Sequence, residues 1–208
     1  MSASESLPGV IFVMIGPGGA GKNAIMRAVI AGSPTVRQLP TATTRPMRAD
    51  EQQGREHHFV SMDGFRRLLS AGQLLEYQEV TPGKFYGIPR QLVIDCLRTG
   101  EARIADIEVF GAQKLAAAFP NNTVQIFVTV PGAKLQSQLN LLRERMQRRA
   151  DAFTDIDSRL RRAQEVELPY QDKCDHIVVN DCLSSAIEAT GDIIERELTA
   201  RRLQEASL

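Results

Sequence analysis

A continuous apolar run followed directly by a glycine-rich loop constrains the fold of this chain more than any other feature. Residues 10–16, VIFVMIG, contain no charged side chain. Such a run is typical of a β-strand that is covered on both faces, so we expect a central parallel strand here. The segment AIMRAVIAG then repeats apolar residues at helical spacing and ends at Gly32. The sequence therefore predicts a strand, a glycine loop and a helix in succession.

The loop between strand and helix, GPGGAGKN over residues 16–23, has the G-x-x-x-x-G-K spacing of a phosphate-binding loop (P-loop). Glycines let backbone N–H groups point at phosphate oxygens, and the following helix adds its positive N-terminus. Lys22 is expected to reach the β- and γ-phosphates, while Asn23 stands where such loops carry Ser or Thr. The predicted nucleotide-binding residues are Gly16, Gly18, Gly19, Ala20, Gly21, Lys22, Asn23 and Ala24.

Strand-like and helix-like segments alternate along the rest of the chain. Short β-rich runs occur at residues 102–109, 123–130 and 175–180. Helices are predicted at residues 111–119, near 132–148, near 157–168 and from about 184 to 203. This alternation favours an α/β fold with a doubly wound parallel sheet flanked by helices.

Two stretches interrupt the alternation. Residues of about 38–90 contain turn residues, a short helix predicted after Ser61 and a hairpin-like segment around TPGKFYG, which together predict an inserted subdomain. Residues of about 143–162 hold seven arginines around the polar stretch RRADAFTDID, and they are interpreted as a lid, with a solvated helical face as the alternative. With residues of about 10–37 and 91–208 as the core, the 208 residues are expected to form a single domain.

The composition narrows the classes of partner. The chain has 25 basic and 25 acidic residues and is 43% hydrophobic, which indicates neither disorder nor a basic nucleic-acid surface. Three cysteines without paired spacing indicate reduced thiols rather than disulfides or a zinc site. The sequence shows neither an apolar run of roughly 20 residues nor a signal peptide. We expect a cytoplasmic monomer or homodimer without a nucleic-acid or membrane partner.

Motifs in and after the inserted stretch resemble those of the guanylate kinase family. TATTRPMR is similar to the family's S-x-T-T-R-x-x-R segment, QLLEYQEV to its L-E-W/Y segment, and KFYGIP to its Y-Y-G segment. Asp106 falls on the D-I-D-x-Q-G strand end, and Asn180 on the V-N-D-D motif near the adenine pocket. The similarity extends over about residues 10–203.

The resemblance implies a nucleoside monophosphate kinase that uses ATP and Mg²⁺ to phosphorylate GMP or dGMP. It assigns acceptor contacts to Thr41, Arg45, Arg48, His57, Glu76, Tyr86 and Asp106. It assigns catalytic roles to Lys22, Arg45, Arg148 and Arg159, and a donor contact to Asn180. The nearby Arg149 and Arg162 leave the alignment of the lid arginines open.

These residue types suit a guanine nucleotide. Guanine presents its N1–H and N2–H donors side by side, and the carboxylate of Glu76 can accept both, whereas adenine has no N1–H. The hydroxyl of Thr41 can donate to O6 of guanine. Arg45 and Arg48 lie three residues apart and can approach one phosphate, with the hydroxyl of Tyr86 as a further donor.

Four positions depart from the family pattern, namely Asn23, His57, Ile88 and Phe110. Side-chain packing is the favoured explanation for Phe110. A protonated His57 adds a positive charge that tyrosine lacks, so we expect acceptor affinity to fall as the pH rises. The amide oxygen of Asn23 suits Mg²⁺ but sits one bond farther out than a hydroxyl, which leaves direct, water-mediated and absent metal contacts open.

Two alternatives to a GMP kinase follow from the same resemblance. One is a kinase for another phosphorylated small molecule, such as ribose 1,5-bisphosphate, and Glu76 together with Thr41 argues against it. The other is a catalytically inactive guanylate-kinase-like binding module, against which the intact glycines and Lys22 argue.

Overall fold

The computed structural model describes residues 7–49, 51–55, 57–148 and 153–206. The strands in these residues are β1 (Val10–Ile15), β2 (Val36–Gln38), β3 (Thr41–Thr43), β4 (His57–Phe59), β5 (Leu74–Thr81), β6 (Lys84–Pro89), β7 (Ala102–Asp106), β8 (Thr123–Thr129) and β9 (His176–Val179). The α-helices are α1 (Lys22–Gly32), α2 (Met62–Ser70), α3 (Arg90–Arg98), α4 (Val109–Ala118), α5 (Leu135–Arg148), α6 (Phe153–Arg162) and α7 (Leu183–Glu205).

The strand predicted from the apolar run, β1, lies in the middle of a five-stranded sheet. The strand order is β2-β7-β1-β8-β9. Every residue of β1 is buried, as expected for a strand covered on both faces. β2 pairs with β7, and β8 with β9, in the parallel direction. The predicted α/β fold with a parallel sheet flanked by helices is confirmed.

The other predicted strands and helices form with modest shifts of their ends. β7 stops at Asp106, earlier than the sequence run suggested, because α4 begins at Val109, which is already helical and buried. β8, β9, α5 and α7 follow the predicted segments. The strongly periodic segments were therefore predicted correctly in type, and their ends only approximately.

Two elements of this part of the chain were not predicted. β2 has only three residues, too few to show an alternating pattern. α3 follows Pro89, its N-cap residue, and buries Val93, Cys96 and Leu97 on one face. That spacing is helical, but it covers little more than two turns, and no turn separates α3 from the strand β6 before it.

The helix predicted near residues 157–168 changes character along its length. α6 ends at Arg162 and continues as a π-helix (Ala163–Glu167) and a 3₁₀-helix (Leu168–Lys173). Pro169 lies in the first turn of the 3₁₀-helix and has no N–H to donate, so an α-helical ladder cannot continue through it. The predicted lid residue Arg149 and the rest of residues 149–152 lie outside the described residues.

The stretch that interrupts the alternation forms a second sheet with the order β4-β3-β6-β5. β3 and β4 are parallel, while β6 is antiparallel to both β3 and β5. β5 and β6 form the predicted hairpin. Ser61 starts α2 as predicted, since its Oγ accepts from the N–H of Gly64 at 3.1 Å.

The chain divides into two compact units. One contains the chain up to Phe12 together with Thr35–Val124, which includes the four-stranded sheet. The other contains Val13–Pro34 and the chain from Gln125 onward, which includes the glycine loop. The predicted limits of the inserted subdomain and of the lid stay predictions. Among the described residues, no helix has both the length and the apolar character needed to cross a bilayer.

The three cysteines are free thiols, as their spacing predicted. Burial raises the pKa of the Cys96 thiol, and it raises the pKa of Cys174 to about 12. Since only the thiolate is reactive, both buried or half-buried cysteines stay inert at neutral pH.

Candidate active site

The loop between β1 and α1 has a backbone that only glycine fits at two positions. Gly16 and Gly21 have φ values of +139° and +95°, which other residues rarely adopt. A Cβ on Gly16 would meet the carbonyl oxygen of Val128, and one on Gly21 would meet the side-chain nitrogen of Asn180. The glycine spacing in the sequence therefore reflects both backbone conformation and close packing.

The start of α1 is suited to an anion. Lys22, Asn23 and Ala24 form its first turn, which contains no acidic residue. Gly21 caps the helix without a side-chain hydrogen bond. The first N–H groups and the positive end of the helix dipole therefore favour a phosphate in the loop.

Lys22 lies across the same loop. Its Nζ donates to the carbonyl oxygens of Gly16 and Pro17, at 2.6 and 3.3 Å. These bonds hold the ammonium charge at the loop next to the start of α1. The loop thus combines a helix N-terminus with a lysine, which is the combination that binds the phosphates of a nucleotide.

Asn180 is bonded to the loop. Its side chain is buried, and Nδ2 donates to the carbonyl oxygen of Ala20 at 2.7 Å. Its main-chain N–H donates to the carbonyl oxygen of Thr129 at 2.8 Å. The resemblance places this residue near the adenine of the donor, and the structure shows its amide nitrogen supporting the loop.

Arg145 extends this network, although the sequence marked it only as one of seven arginines. Its Nη2 donates to the carbonyl oxygen of Asn180 at 2.9 Å. On the same helix, Met146 packs on the loop. A Cβ added at Gly19 would lie 3.3 Å from Cγ of Met146. Two hydrogen bonds therefore join α5 to the loop through Asn180, a link that only the folded chain reveals.

The two predicted lid arginines differ in their placement. Arg159 of α6 lies against the loop. A Cβ added at Gly18 would lie 3.5 Å from Cδ of Arg159. Arg148 is 77% exposed and pairs with Glu144 one turn earlier on α5 at 3.7 Å. The structure therefore brings Arg159, and not the side chain of Arg148, to the phosphate loop.

In the other unit, Glu51 holds the acceptor residue Arg45 in one orientation. Nη1 of Arg45 donates to Oε2 of Glu51 at 2.8 Å and Nη2 to Oε1 at 2.7 Å, and both side chains are 10% exposed. The main-chain N–H of Arg48 donates to the same carboxylate at 2.8 Å. The hydrogen bonds from Arg45 lower the pKa of Glu51 to about 2, so the carboxylate is ionised at neutral pH.

The contacts of Arg45 fix the orientation of its guanidinium group. The edge formed by the two Nη atoms is taken by Glu51, while Nε donates to the hydroxyl oxygen of Tyr86 at 3.0 Å. The guanidinium group also lies over the ring of Phe59, 5.4 Å from its centroid. Arg48 is exposed. The structure therefore brings Arg45 and Tyr86 together and directs the Nε side of Arg45 toward Tyr86.

Glu51 was missed by the sequence analysis. The available signal was weak, since it consisted of one carboxylate six residues after Arg45 in a loop rich in charged residues. A bidentate pair depends on how the loop folds back, which sequence spacing does not reveal.

Thr41 and His57 are neighbours on parallel strands. They are paired in register across β3 and β4, and Oγ1 of Thr41 lies 2.8 Å from Nδ1 of His57. The imidazole meets the ring of Tyr86 edge-on, at 5.7 Å between centroids. Three predicted acceptor residues therefore lie side by side, and Tyr86 connects them with Arg45.

Glu76 is a buried carboxylate, 8% exposed, on β5. A Cβ on Gly111 would lie 2.5 Å from its Oε2, so the glycine at this point of α4 leaves room for the carboxylate. Asp106, at the end of β7, is half-buried in the same unit. The sequence did not single out Gly111 for this role.

The two apolar departures from the family pattern have different surroundings. Ile88 faces Glu76 in the register of β5 and β6 and is 2% exposed, so it packs in the interior of its unit. Phe110 is 60% exposed. Packing against neighbouring helices is therefore the wrong explanation for Phe110, because most of its side chain is exposed to solvent.

The donor atoms at the loop fit Mg²⁺ rather than a metal held by a protein cage. Mg²⁺ usually keeps several waters and binds one or two protein oxygens together with substrate phosphates. Asn23 is exposed in the first turn of α1 and supplies a hard amide oxygen. Among the residues that the structure describes, no group of three or more His, Cys, Asp or Glu is placed to hold a metal.

Comparisons with known proteins agree over most of the chain. A family model described as guanylate kinase matches residues 9–197. The guanylate kinase of Maricaulis maris is 32% identical over 194 residues, covering 93% of this chain and 85% of that protein. The guanylate kinase of Salinibacter ruber is 37% identical over 181 residues, covering 86% of this chain and 92% of that protein.

A solved structure agrees with this sequence similarity. The crystal structure of guanylate kinase from Anaplasma phagocytophilum matches with a TM-score of 0.66 at 27% identity, over 91% of this chain and 86% of that one. The chain therefore belongs to the guanylate kinase family and is a nucleoside monophosphate kinase.

Proposed function

We propose that this chain transfers the γ-phosphoryl group of ATP to GMP, giving ADP and GDP. The observation that carries the choice of acceptor is the buried carboxylate of Glu76, seated against Gly111. A buried carboxylate can accept the N1–H and N2–H of guanine together, and it would leave an adenine without matching donors. A kinase for a sugar bisphosphate has no use for such a group.

The donor side consists of the loop, the start of α1 and two cations. Backbone N–H groups and the helix dipole bind the phosphates of ATP, and Lys22 neutralises the β- and γ-phosphates. Arg159 adds a positive charge against the loop. Asn180 and Arg145 keep the loop in shape through their bonds to Ala20 and to each other. Phosphoryl transfer depends mostly on such positioning and charge.

The acceptor side prepares the phosphate of GMP as a nucleophile. The hydroxyl oxygen of Tyr86 accepts the Nε–H of Arg45, so its own proton can turn toward the phosphate of GMP, and Glu51 keeps the Arg45 cation in that orientation. Positive charge here lowers the repulsion between the attacking phosphate and the γ-phosphate. One of its oxygens forms a bond to the γ-phosphorus as the bond to the β,γ-bridging oxygen breaks, and ADP leaves.

Residues on three strands recognise the base. Glu76 accepts from N1–H and N2–H, Thr41 donates to O6, and Asp106 contributes at the end of β7. The residues of about 38–90 act as the acceptor-binding insertion and those of about 143–162 as the lid. Since the side chain of Arg148 is exposed and pairs with Glu144, it takes part only if the lid rearranges when ATP binds.

Asn23 is the protein oxygen placed to hold Mg²⁺, which would neutralise charge on the β- and γ-phosphates. Its amide oxygen is a hard ligand, yet it lies one bond farther from the backbone than a serine hydroxyl. The donor set therefore binds Mg²⁺ mainly through nucleotide phosphates and water.

The acceptor is identified by an assay that couples ADP release to a visible signal, with GMP, dGMP, AMP and ribose 1,5-bisphosphate offered in turn. We expect turnover with GMP, and a kcat/KM for AMP lower by about 10⁴-fold because of the unmatched carboxylate. Faster turnover with the sugar bisphosphate would overturn the guanine assignment. Failure of every acceptor would indicate a binding module.

Replacing Asn23 by serine is expected to raise kcat by about tenfold and to lower the Mg²⁺ concentration needed for half-maximal rate. Serine brings a ligand oxygen one bond closer to α1. The matched control is Asn140→Ser, which makes the same change at an exposed position of α5. A kcat equal to or below that of the natural sequence would show that Asn23 already serves the metal at least as well.

A further inference from the structure

Gly111 of α4 is the starting point for an inference that rests on the proposed function and deepens it. The residue lies in the first turn of α4 and is not one of the glycines with a positive φ. Any residue adopts such a helical backbone, and glycine in a helix costs stability relative to alanine. The reason for glycine at this position is therefore the space around it rather than its backbone conformation.

Two side chains limit that space. A Cβ added at Gly111 would lie 2.5 Å from Oε2 of Glu76, 3.1 Å from Cδ of the same carboxylate and 2.7 Å from Cγ2 of Ile107. Glu76 is 8% exposed and Ile107 is 7% exposed, so both neighbours lie in the interior of their unit. Gly111 is thus in direct contact with the carboxylate that accepts from the base in the proposed function.

A methyl group at this position would displace the carboxylate. Ordinary van der Waals contact with a Cβ begins at 3.4 Å, so Oε2 would have to move by about 0.9 Å. A hydrogen bond from guanine to this oxygen has a donor–acceptor distance of about 2.9 Å, and a stretch of that size removes most of its strength. Both carboxylate oxygens are needed to accept N1–H and N2–H together, so the displacement breaks up the pair of bonds.

We propose that Gly111 is a positioning residue for Glu76. The missing side chain sets where the carboxylate meets the base, and through the carboxylate it determines the preference for guanine over adenine. Because this effect passes through a contact to the base, its loss appears in the binding of GMP and not in the transfer of the phosphoryl group.

The test replaces Gly111 by alanine in the full chain and measures ADP release with GMP and with AMP. We expect kcat/KM for GMP to fall by about 30-fold, chiefly through KM, because a hydrogen bond between the base and a charged group is lost. AMP has no matching donors, so its kcat/KM should change by less than about threefold. The preference for GMP over AMP should therefore fall by at least about tenfold.

The matched control is Gly191→Ala, the same substitution within α7. Among the described residues, no atom beyond the chain neighbours and the backbone of its own helix lies within 4 Å of a Cβ added at Gly191. The methyl group should favour the helix, raise the midpoint of thermal unfolding by about 2 °C and leave the kinetics with both nucleotides unchanged.

A double-substitution cycle shows whether Gly111→Ala acts through Glu76. Alanine favours a helix, yet Gly111→Ala should lower the unfolding midpoint because its methyl group crowds a buried carboxylate. Glu76→Asp withdraws the carboxylate by one CH₂ group, so in that background the drop should shrink by at least about half. An equal drop in both backgrounds would mean that the methyl group acts through Ile107 or the helix backbone, which would overturn the positioning role.

GMP turnover by the natural protein separates the positioning role from the function on which it rests. If the natural protein uses GMP and a folded Gly111→Ala variant keeps the natural preference for GMP over AMP, the positioning role falls and the proposed function stands. An equal loss with both nucleotides has the same meaning, since it indicates a structural role alone. If the natural protein does not turn over GMP, both fall together. A reduced preference, together with a smaller drop in the Glu76→Asp background, supports the positioning role.

Discussion

Replacing Lys22 by methionine is expected to lower kcat by about 10³-fold. The ammonium group lies at the loop, bonded to the carbonyl oxygens of Gly16 and Pro17, where the helix N-terminus adds further positive character. Methionine keeps most of the side-chain volume and removes the charge. Charge on the γ-phosphate changes most during transfer, so the loss should appear mainly in kcat.

The measurement is the steady-state rate of ADP release at saturating ATP and GMP. The control is Lys114→Met, the same substitution at an exposed position of α4. It should leave kcat unchanged, since Lys114 lies in no part of the proposed site. A Lys22→Met enzyme that retained more than a tenth of the natural kcat would show that another group supports the β- and γ-phosphates.

Replacing Glu76 by glutamine is expected to lower kcat/KM for GMP by about 10³-fold, chiefly through KM. The amide has nearly the shape of the carboxylate but offers only one oxygen, and its NH₂ group then faces a donor of guanine. Because the position is buried, water cannot replace the lost bond. The preference for GMP over AMP should fall by a similar factor.

The comparison requires GMP and AMP kinetics for this variant and for Glu79→Gln, on the same strand. Glu79 is exposed, and its Oε1 accepts from the N–H of Gly83 at 2.7 Å in the β5–β6 turn. That control should keep the natural preference for GMP. If Glu76→Gln kept it as well, with both proteins folded by thermal unfolding, the base would be read elsewhere.

Local sequence patterns were sufficient to predict the central part of the fold. The six buried residues of β1 form an unbroken apolar run, and α1 repeats apolar residues at helical spacing. Both signals lie within single segments, so they do not depend on the rest of the chain. The short strand β2 and the helix α3 were missed because neither segment is long enough for its period to stand out.

The sequence predicted the identities of several candidate site residues, but it did not predict most of the contacts between them. Motif spacing marked Arg45, His57, Glu76 and Asn180, and the structure describes all four. The contacts that Glu51, Gly111 and Arg145 make with them were not predicted, because each of these partners is brought close only by folding. Glu51 reaches Arg45 through a loop, and Arg145 reaches Asn180 from α5.

Local patterns in the sequence predict a buried strand that runs into a glycine loop and a helix, and they include acceptor motifs of the guanylate kinase family. These properties depend on backbone preferences and apolar periodicity, which are local. The folded chain, by contrast, shows that Arg159 lies at the loop while Arg148 faces solvent, and that Phe110 is exposed. It also shows that Oγ1 of Thr41 lies within hydrogen-bond distance of Nδ1 of His57, because strand register sets which distant side chains meet.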